Sequence, residues 1–395
     1  MRPLAISAWT VTSALGAGRA ATLAAFESGH GGLARCDFPH VNLDTWIGRV
    51  AGLEDAALAE GLGAWDCRNH RLARLGLDQD GFAAACAAAR ERHGAGKVGV
   101  FVGTSTSGIG DTERAYRERG GEGPLPDWFD YEHSQSVYAL AGFVRERLRL
   151  AGPALTVSTA CSSSAKVFAS AWRHMQAGLC RAAVVGGVDT LCLMTLYGFH
   201  SLQLVSAEPC RPADAERDGI NLGEAAGFAL LEWPEDAPAA KLHLLGYGES
   251  ADAHHMSAPH PEGAGARLAM RDALARAGLA PPDIDWIHLH GTATPANDLA
   301  EDKAVAALFG PGMRCSSTKG WSGHTLGAAG ILGTGIAALA IEEGFLPASL
   351  NTRRVDPALA ADIVLENRAS APRRVLVNAF GFGGNNASLA IGAAE

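Results

Sequence analysis

Short apolar runs and longer Ala-rich stretches alternate along the chain. Runs at 4–9, 98–102, 155–157, 182–188, 227–231, 242–247, 286–289, 375–379 and 387–391 have the length and apolar character of buried strands. Between them, 81–93, 162–177, 264–277, 298–309 and 327–342 read as helices. Strand–helix alternation of this kind predicts an α/β fold with largely buried sheets. The polar, Pro-containing stretch 232–240 marks a boundary and divides the chain into 1–235 and 236–395. The two parts echo one another: each closes on a glycine turn feeding an apolar strand, at 223–231 and at 381–391. An internal duplication and chance in a Gly- and Ala-rich chain both fit that echo.

Composition narrows the class. The chain has 395 residues, 48% hydrophobic and 19% charged, which excludes a disordered protein. With 33 basic and 42 acidic residues the net charge is −9, which argues against a general nucleic-acid binder. Eight cysteines form no C-x-x-C pair and no secretion-like leader precedes them, so reduced thiols in a cytoplasmic enzyme are expected. No run approaches about 18 consecutive apolar residues, so no membrane insertion is expected. Glycine is the outlier: 48 residues, many in clusters beside apolar runs, where the chain turns tightly or approaches another segment closely.

The chemistry gathers in four places. The segment from Leu155 through Cys161-Ser-Ser-Ser to Lys166 reads as strand, tight turn, helix. Ser162 or Ser163 is a candidate N-cap and Gly178 a C-terminal stop. Cys161 then sits at a helix N-terminus, where exposed N–H groups and the helix dipole are expected to stabilise a thiolate and lower its pKa. The bland alternative is a small buried cysteine at a strand end. His290 follows the strand at 286–289 and opens His290-Gly-Thr-Ala-Thr-Pro; His324 lies in a frame of small residues from Ser316 to Gly330. One Cys with two separate His fits nucleophilic catalysis or a metal site. Zinc sites prefer three or four ligands at tight spacing, and 252–256, with His254 and His255, is the best further source. Finally Phe380 and Phe382 alternate with glycine after the strand at 375–379, as an apolar gate or as two core aromatics.

Together these segments resemble the β-ketoacyl-[acyl carrier protein] synthases, the elongating type I/II ketosynthases of the thiolase superfamily. The resemblance spans essentially the whole chain, in the family's order: 158–164, 290–301, 317–330 and 378–384, with 216–219 and 252–259 as lesser matches. It implies a thiolase-like five-layer α-β-α-β-α fold from two duplicated halves, the first carrying the nucleophile and the second both histidines. It implies that Cys161 takes an acyl chain as a thioester, after which malonyl on a carrier protein is decarboxylated and attacks it. His290 and His324 match donors to the malonyl thioester carbonyl, and Lys319 and Glu301 match a pair that holds the histidines. The N–H groups of Cys161 and Phe382 match an oxyanion hole. Phe382, with Phe380, matches the gate, Phe199 a pocket wall, and Thr292 and Thr294 contacts to phosphopantetheine. No metal and no organic cofactor is implied, because the carrier protein brings the phosphopantetheine.

The implied partners are an acyl carrier protein and a second subunit, in a homodimer or a heterodimer with a paralogue. Carrier proteins are acidic, so a local basic patch is expected to dock them, with Arg68 and Arg71 as candidates and Arg145, Arg147 and Arg149 as others. Three departures from the family pattern, at Gly320, Ala293 and Asn385, suggest a specialised paralogue of aryl-polyene or other polyketide type. The rivals are a coenzyme A-dependent thiolase-superfamily acyltransferase, a non-catalytic chain-length-factor-like partner subunit, and a metal-dependent hydrolase. Thiolases typically carry a second cysteine in the late glycine segment, which is missing here. Partner subunits usually lose the nucleophile, which is present.

Overall fold

A computed structural model describes residues 1–58 and 61–394. Ten strands frame it: β1 (Leu4–Ser13), β2 (Val98–Gly103), β3 (Ala154–Val157), β4 (Ala182–Asp189) and β5 (Ala225–Glu232), then β6 (Leu242–Ala251), β7 (Trp286–His288), β8 (Arg314–Ser316), β9 (Arg374–Gly381) and β10 (Asn385–Ala393). The first five lie side by side as β3-β2-β4-β5-β1, the second five as β8-β7-β9-β10-β6. Counted within its own group, each is the order 3-2-4-5-1. The senses repeat as well. β2 runs parallel to β3 and β4, and β5 antiparallel to β4 and β1. β7 runs parallel to β8 and β9, and β10 antiparallel to β9 and β6. β1 and β6 pair antiparallel at Leu4–Leu244 and Ile6–Leu242, joining the groups at their edges. The stretch 233–241, where the sequence suggested a boundary, connects β5 to β6.

The helices are α1 (Gly18–Ser28), α2 (Arg68–Leu77), α3 (Phe82–His93), α4 (Ile109–Arg119), α5 (Ala139–Leu148), α6 (Ser163–Gln176), α7 (Leu193–Ser201), α8 (Ala264–Ala277), α9 (Pro295–Phe309) and α10 (Ala329–Glu343). α6 and α10 pack on each other and on strands of both groups, forming the middle layer. α2, α3 and α5 cover the other face of the first sheet, and α8 covers that of the second. The result is the five-layer α-β-α-β-α arrangement expected from the resemblance. α10 shows why its sequence lacks a polar face: residues 330–340 are all buried, so it is apolar all round. The stretch Leu326–Glu343 reaches a mean hydropathy of 1.4, high enough for a membrane span, yet it is this core helix.

All nine predicted strands and five predicted helices are present, most extended by one to four residues. Missed were β8, which is Arg-Cys-Ser, and helices α1, α2, α4, α5 and α7. α4 buries only Ala115 and so offers no apolar stripe to read.

Candidate active site

Three loops, each following a strand, meet at one point. The first is the turn between β3 and α6. Ala160 takes the left-handed conformation (φ 50°), which turns the chain sharply before Cys161. The serines that follow staple this turn. Ser162 Oγ donates to the Thr159 carbonyl (2.8 Å), and Ser163 Oγ donates to Ala160 O (2.6 Å) and accepts from Thr159 N (2.9 Å). Ser164 Oγ accepts from Ile331 N (2.9 Å), tying α6 to α10. Ser162 occupies the N-cap position, but its hydroxyl points back to Thr159 rather than capping the helix. Gly178 ends the helix as expected, its N–H donating to Met175 O.

The second loop carries His290 past the end of β7. The Glu301 carboxylate accepts from His290 N and Gly291 N, both at 2.8 Å, and from Asn378 Nδ2 (3.0 Å). Lys319 Nζ donates to the His290 carbonyl and lies 3.4 Å from its Nδ1. The expected Lys319–Glu301 pair is therefore not a contact. Each grips His290 separately, Glu301 by its backbone N–H and Lys319 by its carbonyl and ring. Their charges still act on one another through the buried interior.

The third loop follows β8 and bears Lys319 and His324. His324 Nε2 lies 3.1 Å from Cys161 Sγ, and Leu326 N donates to Nδ1 (3.2 Å). A ring whose Nδ1 accepts carries its proton on Nε2, so His324 presents a donor to the sulfur. The His290 and His324 rings stand 5.3 Å apart, nearly perpendicular. Burial, reinforced by the Lys319 charge, pushes both pKa values well below 6.5, so both rings are neutral at pH 7.

Cys161 departs from expectation. It is 6% exposed, and burial pushes its thiol up to about 11. Lys319 and the N–H groups of Phe382 and Cys161 pull the value down, while Asp189 pushes it up. The helix terminus does not offset the desolvation, and the resting group is a thiol. The same two N–H groups converge on the sulfur. That closeness needs Gly381: a Cβ there would lie 2.9 Å from Thr159 O and 3.1 Å from Cys161 N.

A cavity of about 320 Å³ opens over these groups, lined also by Phe199, Leu204, Ile220, Thr292, Thr294 and Phe380. Phe382 packs on Phe199 with ring centres 5.4 Å apart, and Thr292 and Thr294 share a hydroxyl hydrogen bond (2.8 Å). Ligand atoms of Cys161, His290 and His324 lie within 4.8 Å of one another, close enough to suggest a metal. The donor chemistry opposes it: His324 Nε2 is committed as a donor by the Leu326 N–H, and the Lys319 ammonium adjoins His290. His254 and His255 lie outside this cluster.

Arg68 is a correction. Its side chain is 14% exposed and is gripped by fully buried Glu224, with one nitrogen 3.0 Å from Oε1, and by Glu54 at 2.8 Å. Its charge is taken up by these two carboxylates, which leaves little of it to present to a partner. Arg71 pairs with Asp66 at the surface. Two residues have roles that the sequence did not suggest: Asn378, which opens the 378–384 match and orients Glu301, and Asp189, a charge directly after an apolar strand run. Two of the departures have local causes: a Cβ at Gly320 would lie 2.3 Å from Leu350 O, and Asn385 accepts from Lys166 Nζ (3.0 Å). Ala293, at φ 63°, takes the left-handed backbone that favours glycine, and nothing in the structure explains its methyl group.

Known proteins carry the same pattern. Residues 72–237 match the N-terminal domain and 243–353 the C-terminal domain of beta-ketoacyl synthase. The chain belongs to the beta-ketoacyl synthase family, enzymes that condense an acyl thioester with malonyl-acyl carrier protein. It is 38% identical to 3-oxoacyl-[acyl-carrier-protein] synthase 2 of Rhizobium meliloti (strain 1021) over 74% of this chain and 73% of that one. It is 37% identical to nodulation protein E of Rhizobium meliloti over 74% and 75%. Among solved structures it is similar to the ketosynthase ApeO in complex with its chain length factor ApeC from Xenorhabdus doucetiae. That match has TM-score 0.90 and 36% identity, covering 100% of this chain and 98% of the other. The reading as a non-catalytic chain-length partner is not favoured.

Proposed function

We propose that Cys161 carries the acyl chain and that His290 and His324 stabilise the enolate formed when malonyl loses CO₂. The observation that carries this is the 3.1 Å contact of the His324 donor with Cys161 Sγ. In the transfer step the sulfur attacks the incoming thioester carbonyl, and the N–H groups of Cys161 and Phe382 hold the oxyanion. The thiol proton leaves with the carrier-protein thiolate. In the condensation the malonyl carboxylate departs as CO₂, and the electron pair moves onto the thioester oxygen between the two histidine donors. The carbanion carbon then attacks the Cys161 thioester and expels the sulfur as a thiolate, which takes a proton from solvent to return to the resting thiol. Neutral histidines suit this role, since the site must donate hydrogen bonds without surrendering protons to the enolate. Lys319 and Glu301 hold His290 in place, and Phe382 against Phe199 closes the cavity. The reaction needs no metal or organic cofactor, and Thr292 and Thr294, which line the cavity, contact the phosphopantetheine of the carrier protein in this reading.

The acyl carrier protein is the substrate-bearing partner, Arg71 a docking residue, and the cytoplasm the setting. The chain pairs with a second subunit, either a copy of itself or a paralogue. Support comes from exposed aromatics on neighbouring segments: Tyr116 on α4, Tyr131 and Tyr138 on 125–138, and Tyr197 on α7, with Tyr138 68% exposed. The repeated strand order supports two duplicated halves divided between residues 235 and 236. The similarity to ApeO, together with the departures at Gly320, Ala293 and Asn385, supports a specialised polyketide-type synthase. The test is incubation with a panel of acyl carrier proteins and malonyl carrier protein. A β-keto product two carbons longer is expected, with ordinary saturated chains poor donors. No product from any donor would overturn the condensing role, and full activity on saturated chains would overturn the specialisation.

A further inference from the structure

Asp189, fully buried at the end of β4 in the first half, accepts from six donors in two distant segments. Four belong to the loop after β2. Thr104 Oγ1 lies at 2.6 Å, Ser105 N at 2.8 Å and Thr106 N and Oγ1 both at 2.9 Å. Ser105 Oγ is a fifth. The sixth is Gly327 N (2.5 Å), in the second half. Residue 327 is glycine because a Cβ there would lie 2.7 Å from Asp189 Oδ2.

Gly327 follows Leu326, whose backbone is left-handed (φ 52°) though it bears a branched side chain. That strained residue donates its N–H to His324 Nδ1. We infer that Asp189 is a positioning residue for His324: by holding Gly327 N it keeps the strained turn in place, and the turn fixes the tautomer that aims Nε2–H at Cys161. This deepens the proposed function and rests on it. Asp189 does not touch the reacting atoms. Without its anchor the turn at 325–328 relaxes, the Leu326 N–H leaves Nδ1, and the ring takes either tautomer. One of these offers the sulfur and the enolate a lone pair instead of a donor.

The test compares Asp189→Asn and Ser105→Ala with the wild type. The Asn substitution keeps the shape but points an NH₂ into a ring of donors. Ser105→Ala removes one donor to Asp189 and, with the same hydroxyl, a second and longer acceptor of Gly327 N (3.2 Å); the residue is half-buried and this is the milder change. Three readouts are taken: steady-state condensation, ¹⁵N shifts of the His324 ring, and the pH profile of Cys161 alkylation. In Asp189→Asn, kcat is expected to fall about 10–100-fold with KM for malonyl carrier protein little changed, the size usual for loss of a supporting hydrogen bond. The His324 ¹⁵N shifts should move from a single Nε2–H tautomer to a mixture. The alkylation midpoint should move down, because a negative charge that raises the thiol is gone. Ser105→Ala should shift the first two in the same direction, several-fold less. An unchanged tautomer in Asp189→Asn would overturn the inference, as would a kcat loss no larger than the loss of folded protein. If Asp189→Asn does not fold, unchanged His324 shifts in Ser105→Ala overturn it. The ring shifts need no substrate, so they judge Asp189 even if the wild type fails to condense anything and the proposed function falls.

Discussion

The two halves of the chain solve one structural problem with different residues. Each lays a loop over the end of its second strand and pins it with a buried carboxylate. In the first half Asp189, from β4, takes the N–H groups of Ser105 and Thr106. In the second Glu301, from α9, takes those of His290 and Gly291. The first loop carries only hydroxyls, and the second carries a histidine that faces the thiol. A common scaffold thus fixes where the loops converge, while the residues on each loop decide what chemistry it brings.

Removing the second half's donors should break this comparison most sharply. His290→Ala and His324→Ala are each expected to lower kcat about 10²–10³-fold, the usual cost of a preorganised donor to developing charge. Acylation of Cys161 in the absence of malonyl should survive both changes. A variant within tenfold of wild type in steady-state condensation would contradict a shared enolate role.

Arg68→Ala tests a third buried carboxylate, one held by a charged side chain in addition to the N–H groups of Val50 and Leu191 (both 3.0 Å). It leaves Glu224 buried without its cation and should cost about 3–5 kcal/mol in urea unfolding. A loss under about 1 kcal/mol would mean that the pair behaves as an exposed one.

Glu301→Gln sharpens the contrast through pH. Burial raises Glu301 to about 7, so between 4.5 and 7 the folded protein holds a proton that the unfolded chain has released. That advantage is complete below 4.5 and is lost as pH rises through about 7. His288, His290 and His324 act oppositely. Their lowered values make the fold lose stability as pH falls below 6.5. Removing Glu301 should therefore steepen the rise of melting temperature between pH 5 and 7, and lower kcat about tenfold through His290. An unchanged slope would show that Glu301 is ionised throughout that range.

Arg71→Glu is the smallest effect. Stability should change by less than about 1 kcal/mol, since the Asp66 pair is at the surface. The apparent KM for carrier protein should rise several-fold, and an unchanged KM would remove Arg71 from the docking face.

The sequence made the strands legible because buried strands are short and apolar, as at 182–188, and it made Cys161, His290 and His324 legible through their glycine and serine frames. It hid whatever depends on long-range partners. Asp189 reads as one acid after an apolar run until Gly327, 138 residues away, donates to it. Arg68 reads as part of a basic surface until Glu224, 156 residues away, is seen against it. The Cys161 thiol misled for a related reason. A helix N-terminus is visible in sequence, whereas the desolvation that outweighs it belongs to the packed interior.

The most direct measurement is the intact mass of the protein after incubation with acyl carrier proteins alone, beside a Cys161→Ala control. One acyl adduct on the wild type, none on the control, and its disappearance with β-keto product on adding malonyl carrier protein is the predicted result. An adduct that persists in Cys161→Ala, or product formed without any adduct, would contradict Cys161 as the acyl carrier.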